Sequence, residues 1–77
     1  MPHVIVKMYP GRSEEDKERL TAQLVKDITS IAKCGEDAVS VAIEEVKPAD
    51  WVEQVYKPEI QSSWDKLYKK PGYNPLQ

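Results

Sequence analysis

Three side chains carry most of the chemistry open to this chain: Pro2, Arg12 and Trp51. Methionine ahead of a small residue such as proline is ordinarily trimmed, so Pro2 is expected to become a secondary amine at the N-terminus. A free α-amino group titrates near pH 8, and apolar burial or a nearby cation disfavours its ammonium form, which makes such an amine a usable base near neutrality. Arg12 follows a Pro10-Gly11 turn and precedes a helix start, a loop position from which a guanidinium fork can reach a carboxylate. Alone, it is equally well read as a solvated loop arginine or as the partner of a nearby glutamate. Trp51 alone reads equally well as a core or interface aromatic.

Other residues with reactive side chains offer less. A lone histidine, His3, is more often structural than catalytic, and a lone cysteine, Cys34, forms no internal disulfide and reads as a small apolar residue near a helix end. Together they make no metal-ligand cluster of recognisable spacing. Lys69 and Lys70 suit a solvated helix end. There is no glycine loop of the nucleotide-binding kind and no nucleophilic triad.

These residues must be positioned by a short chain. Seventy-seven residues make one domain, spanning residues 1–77, with little margin for a deep cleft inside one protomer, so oligomerisation is expected. Eleven basic and 13 acidic side chains are interspersed, giving a net charge of −2. That balance lacks the basic stripe that binds nucleic acid or an anionic membrane surface. No stretch approaches a membrane span and no signal-peptide pattern opens the chain, so a reducing cytoplasmic setting is expected.

Residues 3–9, "HVIVKMY", alternate Val4, Val6 and Met8 against His3, Ile5, Lys7 and Tyr9 and predict a strand. Ser13 with Asp16 three residues on, and with Glu14 and Glu15 at the positive end of the dipole, predicts a helix start. Leu20, Leu24, Ile28 and Ile31 then form one apolar stripe, and Gly35 is the expected C-cap. Residues 38–46, "AVSVAIEEV", alternate again and predict a second strand, parallel to the first by the crossover rule for a βαβ unit. Helices are expected over residues 49–56 and 59–69, with Pro58 beginning a new helix or kinking one continuous helix, before the irregular tail "KKPGYNPLQ". The fold class is α+β: one βαβ unit with a C-terminal helical segment, its two-stranded sheet extended by a second chain.

The combination of Met-Pro, "GRSEEDKERL", "AVSVAIEEV", "KPADW" and "KKPGY" resembles the 4-oxalocrotonate tautomerase superfamily over nearly the whole chain, and its PptA-type members in particular. The resemblance implies a cofactor-independent keto-enol tautomerase. Pro2 would be the imino general base and acid, and Arg12 the loop arginine that holds a substrate carboxylate. Trp51 would be the aromatic that keeps the pocket apolar. Where 4-oxalocrotonate tautomerases carry a second arginine this chain has Ser40, so the resemblance favours a monocarboxylate such as phenylpyruvate, or a 2-hydroxydienoate, over a linear diacid. Ser40 is left to donate one hydrogen bond. Sites of the family form at subunit contacts, which implies a homodimer, with a hexamer as the other arrangement. Competing readings are a hydratase or dehalogenase with a cationic Pro2, and a non-catalytic homologue in which the proline is vestigial.

Overall fold

The β-branched, alternating residues after Pro2 form a strand, β1 (His3–Met8), in the computed structural model of the chain, which describes residues 1–76. Val4, Val6 and Met8 are half-buried, whereas His3 and Ile5 on the other face are exposed. A turn at Tyr9 to Arg12 follows. Gly11 has φ +125°, a conformation that side chains with a Cβ rarely adopt, so the turn depends on this glycine.

Helix α1 (Glu14–Ile31) begins as its sequence signals require: the Ser13 side chain accepts from the backbone N–H of Asp16 at 3.0 Å, and three acids occupy the first turn. Leu20, Leu24 and Ile28 lie half-buried in one stripe, together with Thr21, Val25 and Thr29. Ile31 does not join them: it is 79% exposed, because the helix ends there. Gly35 is not the C-cap. Ala32 caps the helix, its N–H bonded to the Ile28 carbonyl at 2.8 Å, and Lys33 takes the left-handed conformation at φ 59°. Gly35 is extended and instead leads into a single 3₁₀ turn, Glu36–Ala38.

That turn delays the second strand, β2 (Ser40–Glu45), to a start two residues later than the alternation suggests. It pairs with β1 in parallel, from His3 opposite Ser40 to Met8 opposite Glu45. Val41 and Ile43 are half-buried, and Lys17 of α1 reaches Glu45 at 3.6 Å, which places α1 on the face of Val4, Val6, Val41, Ile43 and Glu45. These residues, Met1–Glu45, make one compact unit, and the chain from Val46 onward makes a second.

In the second unit Pro48 opens a short helix, α2 (Pro48–Trp51), as a proline in the first turn can. The winding then loosens to five-residue hydrogen-bond spacing over Val52–Gln61 and runs through Pro58 without a break. Of the two expectations at Pro58, a new helix is absent and one continuous winding is present. In an α-helix the ring would clash with the carbonyl four residues back, and the wider winding relieves that contact. The last such bond joins the Ser62 N–H to the Lys57 carbonyl at 3.2 Å. Ser62 also turns its hydroxyl back to the Pro58 carbonyl, and the helix stops there, short of the expected residue 69. Only a 3₁₀ turn, Trp64–Lys66, follows, with Lys70 stacked 5.8 Å from the Trp64 ring centre. The remaining described tail is irregular, as expected; Gln77 lies outside the described residues. Among the described residues, only Val55 and Tyr56 are fully buried, each 5% exposed.

Candidate active site

Pro2 stands at the open end of the sheet. Its carbonyl accepts the first rung of the ladder from the Ser40 N–H at 3.1 Å, so the residue is held by its C-terminal side while its nitrogen takes no part in strand pairing. Met1, ahead of it, is fully exposed and accessible to removal. His3 and Ser40 face each other across the strands, and the His3 Nδ1 lies 2.6 Å from the Ser40 Oγ. Pro2, His3 and Ser40 therefore share one strand end.

Arg12 sits beyond the other end of β1. Between it and Pro2 lies the whole six-residue strand, about 20 Å at the usual rise, and then the turn. It is exposed and lines an open groove of about 470 Å³ with apolar Met8 and Leu20 and charged Asp16, Lys17 and Arg19. The other two cations are engaged. Lys17 bonds Glu14 at 2.8 Å and Glu45 at 3.6 Å, and Arg19 lies 3.9 Å from Asp16. Glu14, then Glu45, hold the Lys17 ammonium above its ordinary pKa, the attraction of both carboxylates outweighing desolvation. Among the described residues Arg12 itself has no acidic partner, so the ion-pair reading of this arginine does not apply and its fork is available to an anion.

Trp51 ends α2 in the second unit, half-buried. Of the residues singled out from sequence, the structure thus brings Pro2 and Ser40 together and sets Arg12 at the far end of the strand. His3, which the sequence alone reads as structural, stands at the same strand end. Pairing the two strands in register would have placed it opposite Ser40. Cys34 is a free, half-buried thiol. Among the described residues no cluster of three or more His, Cys, Asp or Glu is placed to hold a metal ion, and no helix is long and apolar enough to cross a membrane.

Comparison with known proteins gives this geometry a context. The profile of the family described as "Tautomerase enzyme" matches residues 2–57, which contain Pro2, Arg12, Ser40 and Trp51. A "Probable tautomerase" of Xylella fastidiosa is 42% identical over 76 residues, covering 99% of this chain and 93% of its own. "Tautomerase PptA" of Pectobacterium atrosepticum is 36% identical over 78 residues, covering 96% and 99%. Among solved structures, YwhB, a homologue of 4-oxalocrotonate tautomerase, superposes with a TM-score of 0.59 at 33% identity, over 60% of this chain and 75% of its own. TomN, a homologue from the tomaymycin biosynthetic pathway, gives 0.63 at 28% identity, over 65% and 77%.

Proposed function

The chain belongs to the tautomerase family and is an isomerase of that kind, and from this premise we propose that its working base is the Pro2 nitrogen, freed by removal of Met1. The observation that carries the proposal is the position of Pro2: behind one fully exposed residue, anchored through its carbonyl, with its nitrogen outside the ladder. As a neutral amine it takes the proton of an enol hydroxyl and returns a proton to the neighbouring carbon. The O–H bond breaks, C–H forms, C=C becomes C–C and C–O becomes C=O. No electron leaves the substrate.

Arg12 holds the substrate carboxylate, and the substrate class is a 2-keto or 2-hydroxy-enoate monocarboxylate such as phenylpyruvate. The strand length then has a consequence. A small keto acid does not span about 20 Å, so Pro2 and Arg12 of one chain do not meet on one molecule. The site is completed by Arg12 of a second copy, in a homo-oligomer that also buries surface a single chain leaves open. Trp51 is the aromatic that the family resemblance assigns to such a site, within the residues that the family profile matches, and Ser40 adds hydrogen-bonding capacity at the proline's end.

Replacing Pro2 by alanine and following ketonisation of enol-phenylpyruvate tests the reading. A loss of about 10²- to 10⁴-fold in kcat is expected for removal of a positioned acid-base group. Unchanged turnover overturns it. Intact mass of the protein from its native host is expected to lack the initiator methionine.

A further inference from the structure

The contact between His3 and Ser40 is unexplained by the roles assigned so far. Both residues are exposed, where a side chain gains little by being held, yet Nδ1 and Oγ are 2.6 Å apart. The same serine grips the Pro2 carbonyl through its N–H at 3.1 Å, so the imidazole is tied to the backbone rung that anchors the proline. A histidine fixed through one ring nitrogen presents the other in a set direction, and the bond at the first decides which nitrogen carries the proton. A serine hydroxyl can donate to Nδ1 or accept from it, and in the first arrangement the neutral ring carries its proton on Nε2.

The geometry points to the Nε2–H of His3 as a catalytic hydrogen-bond donor to the substrate oxygen that alternates between enol and keto, with Ser40 as the residue that positions it. The assignment rests on Pro2 as the base. When the proline nitrogen removes the enol proton, negative charge gathers on that oxygen until carbon is protonated. An oriented N–H at the same strand end stabilises the charge without surrendering its proton. Arg12 of the same chain is a strand's length away and does not reach that oxygen. Further along the same sheet face stand Lys7 and Glu44, paired at 3.9 Å and set four residues from His3 and Ser40.

The chain has one histidine, so ring-nitrogen NMR reads it without ambiguity. At about pH 8, above the ordinary histidine range, the Nε2–H tautomer is expected in the wild type, and a mixture of tautomers in Ser40→Ala. In ketonisation assays His3→Ala is expected to lower kcat by about 10- to 100-fold with KM little changed, and His3→Gln, which keeps an N–H donor, to recover part of the loss. The double variant His3→Ala/Ser40→Ala should be no slower than His3→Ala alone, because the serine acts through the ring. An Nδ1–H tautomer in the wild type, or wild-type kcat in His3→Ala beside an inactive Pro2→Ala, overturns the donor role alone. Wild-type kcat in Pro2→Ala overturns both readings. Matching circular dichroism of His3→Gln and Ser40→Ala with the wild type confirms that folding is not the variable.

Discussion

Among the described residues, Arg12 is set apart from its neighbours by having no acid to neutralise it. Lys17 and Arg19 line the same groove and each faces a carboxylate. A charge-assisted hydrogen bond contributes about 1.5–3 kcal/mol, so Arg12→Ala is expected to reduce kcat/KM for a carboxylate substrate by about 10- to 100-fold, mainly through KM. Arg12→Lys should restore only part, since an ammonium lacks the two-pronged fork. Steady-state kinetics on a keto acid and on its ester separate the two contributions: the ester should be indifferent to Arg12. At this scale the residue types were legible, because a proline behind the initiator and an arginine after a turn stand out in any reading. The His3–Ser40 contact was not, because it depends on strand register, and register is a property of the pair of strands.

At the scale of the elements, capping residues make quantitative claims. Ser13→Ala removes the acceptor for the Asp16 N–H and should cost about 1 kcal/mol in urea unfolding, whereas Ser13→Asp should be nearly neutral. Lys33 is left-handed, which disfavours any residue with a Cβ by about 1–2 kcal/mol, so Lys33→Gly should stabilise the protein by about 1 kcal/mol after the entropy of glycine is subtracted. The Lys17 ammonium, held by Glu14 and then Glu45, gives a pH dependence of known sign. Because its pKa is raised on folding, its stabilisation is complete below the ordinary value of 10.5 and disappears as pH climbs through the raised one. The stability difference between wild type and Lys17→Met should therefore be level from about pH 7 to pH 9 and vanish in stronger alkali. Alternation, the Ser13 cap and the apolar stripe made the βαβ unit and its parallel strands readable. The winding after Trp51 was not readable, since an apolar pattern of ten residues fits four- and five-residue spacing alike, and a proline that ends an α-helix is accommodated by the wider coil. Lys33 misled for a similar reason: a glycine nearby is the more probable left-handed residue by intrinsic preference, and the helix stopped two residues before reaching it.

For the whole molecule, the separation of Pro2 from Arg12 predicts complementation. At substrate well below the wild-type KM, Pro2→Ala and Arg12→Ala should each keep about a tenth of wild-type activity or less, but mixing them under conditions of subunit exchange should recover about a quarter, because random pairing leaves one site in four with both residues intact. If each chain carried its own complete site, mixing would recover nothing. Thermal unfolding should likewise shift upward with protein concentration, since so few residues are buried within one chain. The expectation of a second copy came from chain length; which strand end would meet which loop could not be read, because that is decided by surfaces and not by periodicity. The rung from Ser40 to the Pro2 carbonyl carries a practical corollary for anyone preparing the protein. It secures the strand without using the proline nitrogen, so an affinity tag fused ahead of Pro2 would leave the sheet in register while turning the amine into an amide. On the proposed role of Pro2, such a product would purify well, give a native spectrum and lose turnover, whereas the same tag at the opposite terminus would leave the proposed base free.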